Sequence, residues 1–522
     1  MTSSLSGLYD ARPRPLVLRD LIARSQARFD QLPEDALLQL LENALYTERK
    51  RLERSPANED ARTTLAELAR AIVQGTRPER TQAGLRLVAE WADEIHGHFN
   101  PRVYGLATRV LPRTLNGLLA RRAGNVRSWT GHANSRVSVR GDLALLQTLA
   151  REATLILAPT HVSNLDSPLI GLSLHNGGMP PFVYGAGLNL FNNPVMGWWM
   201  HRLGAYTVDR MKRASLYKQV LKDYSVLQLT TRHHSLFFPG GTRARSGALE
   251  TSVKKGLLGT GIVAWQEMLA NKRQDSDVYI VPLTLSFQLV LEANTLIDDH
   301  LADAGKQRYI ITDDEFTQPR RLLSFGSRVM NLDASVVAHF GSPLDCLGRP
   351  VSHLASERQA QALERRRFVC GRDGEVEWDS QRDRVYTDRL AASLVEAWPT
   401  YASAMETHLT AYAAWDCLQD QIETVDAFRI VRTPVTKRHI KRHVFIAKLR
   451  EVLDRVETGA RQRKWTADLP PTAEAVLDTA LDRFGRYHRS RAVARVGSDI
   501  VVEDPRLCLF YRNRLTYIDR RS

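Results

Sequence analysis

The sequence predicts an α/β protein: a mixed, mostly parallel sheet flanked by helices over residues 131–350, preceded by a helical N-terminal region (1–130) and followed by a mainly helical C-terminal region (351–522). Three observations predict it. From Val137 to Phe340, short β-branched or aromatic runs alternate with helical stretches, the pattern that strand–helix–strand crossovers leave in a sequence. On either side, apolar residues recur at helical spacing instead. Residues suited to chemistry cluster just after predicted strands, where an α/β sheet leaves its loops open to a ligand.

In chain order, Ala61–Gln74 sets Leu65, Leu68 and Ile72 on one helical face and stops at Gly75. Thr81–His96 repeats the pattern with Leu85, Val88, Ala92 and Ile95, and Gly97 follows. Phe99–Arg127 differs: six arginines (102, 109, 113, 121, 122 and 127), no acid, and interleaved Val103, Leu106, Val110, Leu115 and Leu118. That composition suits a helix lying in a membrane interface or a core-packed helix with a solvated basic rim; Pro112 interrupts its period. The predicted strands are Val137–Val139, Leu155–Ala158, Phe182–Tyr184, Tyr206–Val208, Ser235–Phe238, Tyr279–Leu285 and Val336–Phe340, with helical stretches at Leu216–Leu229 and Leu257–Ala270. Beyond 350, Thr436–Arg450 gathers Lys437, Arg438, Lys441, Arg442, Lys448 and Arg450, either an anion-binding patch or one solvated helix face.

Composition narrows the function. The 522 residues are 43% hydrophobic and 25% charged, which excludes a largely disordered chain. Seventy-two Lys+Arg against 58 Asp+Glu leave +14, a balance that favours anionic lipid headgroups, phosphorylated substrates or nucleic acid. No zinc-finger spacing and no aromatic-and-basic strand signature of an RNA-binding sheet is present, so no nucleic-acid partner is expected. Cys346, Cys370, Cys417 and Cys508 form no CxxC pair; no metal site is expected, and the low density fits a reducing compartment. Met1–Leu16 has no apolar core of a signal peptide. The longest apolar stretch, Val278–Leu291, contains Pro282 and falls short of the roughly 18–20 residues a spanning helix needs.

The chemistry concentrates in Ala158-Pro-Thr-His-Val-Ser-Asn-Leu-Asp-Ser-Pro168. Pro168 belongs in a first helical turn, where its missing N–H costs little, so a helix is predicted to start around Ser163–Ser167 with His161 in the turn before it. Asp166 then reaches back to one imidazole nitrogen and leaves the other to take a proton from a hydroxyl. A simple N-terminal helix charge is the competing role for Asp166. Downstream, Phe238-Pro-Gly-Gly-Thr-Arg-Ala-Arg-Ser-Gly247 follows another strand. Gly240 and Gly241 let backbone N–H groups approach an anion, and Arg243 and Arg245 suit bidentate contacts to phosphate.

With these blocks in order, the chain resembles the glycerophospholipid acyltransferase family, which includes glycerol-3-phosphate and lysophosphatidic acid acyltransferases. The four blocks are His161-x4-Asp166, Gly204–Arg210, Phe238–Gly247, and Val281-Pro282. Lys254 and Gly256 match a Lys-x-Gly after the third block, and Phe340-Gly-Ser-Pro343 is similar to the motif that closes the glycerol-3-phosphate acyltransferase domain. The resemblance covers about 137–350 and implies a glycerol-3-phosphate acyltransferase-like fold. It implies acyl transfer from an acyl thioester, acyl-CoA or acyl carrier protein, to a glycerophosphate hydroxyl. His161 would be the general base and Asp166 its orienting partner, with Arg210, Arg243, Arg245 and Lys254 holding the acceptor phosphate. No metal or other cofactor is implied. The preferred acceptor is glycerol-3-phosphate, with 1-acylglycerol-3-phosphate the alternative, at the cytoplasmic face of a membrane carrying anionic lipid. One departure matters: the third block normally carries a glutamate that helps shape the acceptor site, and Gly240 stands there. Its loss is expected to leave the arginines without a local counter-charge, which changes the acceptor or rate or marks a non-catalytic lipid-binding relative.

Other residues have plainer expected roles. His233 and His234 are expected in an exposed loop. Of Trp198 and Trp199, at least one is expected in the core, with a lipid interface or an acyl tunnel the other possibility. Cys370, beside three arginines, is expected to be a spectator despite a setting that would lower a thiol pKa.

Overall fold

The computed structural model describes residues 13–53, 59–108, 137–191, 194–273, 275–304, 335–485, 488 and 490–520. The arginine-rich stretch read over Phe99–Arg127 therefore lies outside the described residues beyond position 108.

Among the described residues the central sheet has eight strands: β1 (Val137–Arg140), β2 (Thr154–Pro159), β3 (Val183–Gly187), β4 (Ala205–Val208), β5 (Ser235–Leu236), β6 (Val278–Phe287), β7 (Val336–Phe340) and β8 (Leu344–Asp345). Their order is β1-β7-β6-β2-β5-β3-β4, with β8 beside β6. From β6 to β4 every pair is parallel; β7 and β8 run antiparallel to β6, and β1 parallels β7. The sheet is thus mixed and mostly parallel, as read from the sequence. Every residue of β2 and β6 is buried. Leu155 and Leu157 enter one core while Ile156 and Ala158 enter another, the period-2 alternation of a strand covered on both faces.

Four helices make the N-terminal layer: α1 (Arg14–Gln31), α2 (Glu34–Leu52), α3 (Glu59–Gln74) and α4 (Arg77–Ile95). Thr76 and Glu79 form a capping box at the start of α4, with Pro78 in its first turn. Leu87, Val88, Trp91 and Ile95 of α4 are buried, and the Trp91 ring stands edge-on to Tyr217 of the helix Ser215–Thr230 at 5.6 Å. Burial of side chains this large stabilises by roughly 1.5–3 kcal/mol each. The ion pairs Arg28–Asp223 (2.9 Å) and Arg24–Glu267 (2.6 Å) cross the same boundary with partly exposed arginines and add less.

The C-terminal region shares its core with one face of the sheet: Trp415, Phe445 and Phe510 join Leu283, Leu285 and Phe340 in one apolar cluster. The helix Glu406–Ile422 is buried on nearly all sides, as an interior helix is, and the helix Pro505–Asn513 packs along it. The basic stretch Thr436–Arg450 is not one helix: His439–Lys441 is a short strand and a helix begins at Arg442, burying Phe445, Ile446 and Leu449 and leaving Arg442, His443 and Arg450 outside.

Four expectations need correction or refinement. His233 and His234 are buried, because both lead directly into β5 under the sheet; Leu155 N donates to His234 Nδ1 (3.0 Å), and burial pushes that imidazole down to about 3. The predicted strand Ser235–Phe238 ends at Leu236, where the chain turns into the glycine-rich loop. Cys370 is half-buried opposite Val376, and burial raises its thiol pKa against the pull of Arg366 and Arg382. Against the expectation, neither tryptophan is in the core: Trp199 is half-buried, and Trp198 is exposed with the Arg202 guanidinium 4.1 Å from its ring centre. Among the described residues, no helix is long and apolar enough to cross a membrane, and no group of His, Cys, Asp and Glu is placed to hold a metal.

Candidate active site

The end of β2 is clamped before it delivers its first polar side chain. Trp398 Nε1 donates to Ala158 O (3.1 Å), Thr160 N to Leu283 O (2.9 Å), and Leu285 N to Thr160 Oγ1 (3.1 Å). His161 follows in the turn, and the helix Asp166–Asn176 begins five residues later. Asp166 is fully buried in its first turn. Its Oδ2 accepts from His161 Nδ1 (2.7 Å), Val162 N (2.6 Å) and Ser163 N (3.0 Å). One oxygen thus holds the imidazole and the two backbone N–H groups that follow it, and the same residue is the acid in the helix's first turn. A carboxylate can only accept, so Nδ1 is the donor of this bond, and in the neutral imidazole the lone pair is then on Nε2. The ring lies on Phe238 (centroids 4.0 Å, 23° between planes) and its side chain is 17% exposed, so one edge stays reachable.

The glycine-rich loop is tied to this base. Ala244 N donates to His161 O at 2.7 Å. Gly241 has φ +76°, a left-handed turn that glycine adopts without strain. The Lys254 side chain crosses it: a Cβ on Gly241 would lie 2.6 Å from Lys254 Cε and 2.7 Å from Nζ. The positive φ is what calls for glycine there; the lysine end, exposed and flexible, lies over the space a Cβ would take. Arg243, three-quarters buried, lies 3.6 Å from Glu292.

Not all the sequence-predicted cations converge equally. Arg245 pairs with Asp303 on the helix Ala293–Ala304, at the edge of the loop. Arg210 is exposed in the turn after β4. Because β2, β5, β3 and β4 are parallel neighbours, it leaves the same end of the sheet as His161, three strand spacings or about 14 Å across.

The expectation that Gly240 leaves the arginines without a counter-charge is overturned. Glu292 is buried beside Arg243 and also accepts from Ser163 Oγ (2.8 Å) and Asn164 N (2.9 Å), bracing the turn after His161; burial raises its pKa. Glu250 Oε1 accepts from His161 N at 2.6 Å, and burial pushes this carboxyl up to about 7. Arg514, fully buried, donates to Gly247 O (3.2 Å) and Leu285 O (3.0 Å) and sits in the field of Glu250 and Asp166; burial lowers its pKa. Gly247 has φ +86°, and a Cβ there would lie 2.3 Å from Phe510 O, so the C-terminal helix presses directly on the loop. None of Glu250, Glu292 or Arg514 stands at a motif spacing; the one sequence signal was an acid three residues past Gly247, inside an otherwise basic stretch.

Residues 139–286 match the family model described as Acyltransferase. Over 221 residues the chain is 28% identical to a dihydroxyacetone phosphate acyltransferase of Oryctolagus cuniculus, covering 42% of this chain and 29% of that one. Over 214 residues it is 29% identical to a glycerol-3-phosphate acyltransferase of Xylella fastidiosa, covering 40% and 22%. The chain thus spans less than a third of the length of these relatives. A solved 1-acyl-sn-glycerophosphate (LPA) acyltransferase of Thermotoga maritima aligns at 14% identity and a TM-score of 0.26, over 56% of this chain and 92% of that one. The four motif blocks, from His161 to Pro282, all lie within residues 139–286, the stretch that matches the Acyltransferase family model.

Proposed function

We propose that this protein transfers a fatty acyl group from an acyl thioester, acyl-CoA or acyl carrier protein, to the hydroxyl of glycerol-3-phosphate in glycerolipid synthesis. In the reaction, His161 Nε2 takes the hydroxyl proton as the oxygen attacks the thioester carbonyl. The C–S bond then breaks, and the leaving thiolate takes the proton from the imidazolium. Asp166 holds the ring and stabilises its charged form; such a base contributes about 10²–10⁴-fold. Arg243 and Lys254 hold the acceptor phosphate, with Arg245 and Arg210 further out at the rim. Anchoring the phosphate sets the hydroxyl beside the base and turns a two-body encounter into an oriented one.

One observation carries the reading: His161 is bonded to Asp166 through Nδ1 and to the Arg243 and Lys254 loop through its own backbone carbonyl, so base and cations are tied to one another. The names of the relatives support a glycerophosphate-type acceptor. The net positive charge and the exposed Trp198–Arg202 pair support a peripheral seat on the cytoplasmic face of a membrane with anionic lipid.

The test is thiol release from acyl-CoA with glycerol-3-phosphate, its 1-acyl derivative and dihydroxyacetone phosphate as acceptors. Release is expected to be fastest with the first, and His161→Ala is expected to lower it at least 10²-fold with the melting temperature kept. A His161→Ala protein as fast as the parent would end the assignment. Faster release with the 1-acyl derivative would move the acceptor to the alternative substrate.

A further inference from the structure

The third motif block of this chain lacks its acid, yet the place beside Gly240 is not empty. Gly240 does not have a positive φ, so its backbone does not call for glycine. What calls for glycine is space: a Cβ at Gly240 would lie 2.9 Å from Glu250 Cγ and 3.3 Å from Glu250 Oε1. The Glu250 side chain occupies the volume that any side chain at 240 would enter. From there Oε1 accepts from the backbone N–H of His161 at 2.6 Å, while Oε2 is buried with no hydrogen-bond partner. Across the turn Ala244 N donates to His161 O at 2.7 Å, so both polar atoms of the His161 peptide backbone are held by the loop that carries Gly240, Arg243 and Glu250. A buried carboxylate is costly unless it is bonded or compensated. The compensation here comes from the N–H of the proposed base and from the buried Arg514 guanidinium nearby.

We infer that Glu250 is a positioning residue for His161: its carboxylate, reaching back from ten residues downstream, takes the place left open at Gly240 and fixes the backbone of the base. This rests on the acyl-transfer reading of the same site. It also turns the missing acid from a mark of lost function into a relocated one, with the glycine and the glutamate as two halves of one exchange. A Glu at 240 and a Glu at 250 are then mutually exclusive, each tolerated when the other position is small or apolar.

The exchange is tested by a four-protein cycle: parent, Glu250→Leu, Gly240→Glu, and the double variant Gly240→Glu/Glu250→Leu, with Glu250→Gln added because its amide oxygen keeps the acceptor without the charge. Thiol release on glycerol-3-phosphate is expected to fall at least tenfold in kcat for Glu250→Leu, with the acceptor KM moved less than twofold. Glu250→Gln is expected to lose about threefold. Gly240→Glu alone is expected to lose at least tenfold, and the double variant to recover at least threefold from it. Additive losses in the double variant overturn the exchange. A second readout needs no turnover: carbethoxylation of His161 by diethyl pyrocarbonate, followed by peptide mass spectrometry on proteins that keep a cooperative thermal transition. Its rate is expected to rise at least threefold in Glu250→Leu and to stay nearer the parent in Glu250→Gln. An unchanged rate in Glu250→Leu overturns the positioning role. A parent that releases no thiol with any acceptor overturns the acyl-transfer reading instead, and the labelling arm still decides whether Glu250 holds the histidine.

Discussion

Two stretches of this chain are dense in cations, and the structure treats them differently. At the loop from Phe238 to Lys254, two groups have a buried acid behind them: Glu292 behind Arg243 and Glu250 behind the His161 N–H. In the stretch from Lys437 to Arg450, the ion pairs include Lys441–Asp499, Lys448–Glu451 and Arg450–Glu474, with Lys441 68% and Arg450 59% exposed. In the first, Glu292, Arg514 and the Glu250 carboxyl are covered by packing and Arg243 is partly covered, while Lys254 faces solvent; the second is a solvated surface on a short strand and the helix that follows it. Cation density alone does not make a site. Buried acids that pre-position the cations do, because charge interactions screened to almost nothing at a surface become strong where water is excluded.

The largest way to break that comparison is to remove the buried cation that the loop leans on. Arg514→Met takes away the donors to Gly247 O and Leu285 O and leaves Glu250 without its nearby positive charge. A loss of about 3–5 kcal/mol in urea unfolding is expected, with activity falling alongside. A variant as stable as the parent would mean the loop does not depend on the C-terminal region.

The next effect is a pH dependence. Glu250 is pushed from 4.5 up to about 7 by burial, so the folded state binds its proton where the unfolded state has lost it. The penalty is absent below pH 4.5, grows between pH 4.5 and 7, and is constant above. Glu250→Gln removes it, so the variant is expected to gain on the parent as pH rises through that window, by up to about 3 kcal/mol. Melting curves of both proteins at pH 5 and pH 7.5 check the sign; a parent that gains on the variant as pH rises would contradict it.

Arg243→Ala comes third. Contacts to a charged group are worth roughly 1.5–3 kcal/mol, so kcat/KM for glycerol-3-phosphate is expected to fall about 10- to 100-fold, mainly through KM. An unchanged acceptor KM would remove Arg243 from the phosphate site. The smallest effect is expected for Lys441→Ala and Arg450→Ala, within about 0.5 kcal/mol of the parent in stability and with unaltered turnover. A tenfold change in turnover there would make the C-terminal stretch functional and end the contrast.

How much of this was legible in advance follows contact distance along the chain. The turn that brings Asp166 to His161 spans five residues and is written locally, in a strand, a Pro-marked helix start and an acid at its first position. The buried histidines were not legible: His233 and His234 read as loop residues, because their cover comes from strands and helices far away in sequence. The place of Gly240 was half legible, as a departure from a motif whose compensation lay ten residues on with no spacing rule to mark it.

The sequence by itself determined the alternation of strands and helices, the helix starts and the pairing of His161 with Asp166, because these depend on periodicity, caps and neighbours within a turn. Tertiary structure alone decided that Glu250 meets His161 from 89 residues away, that Glu292 meets Ser163 from 129, and that Arg514 reaches Gly247 from 267. The physical reason is that a carboxylate or guanidinium acquires its strength from the water that packing removes around it, and which segments do that packing is a property of the whole fold.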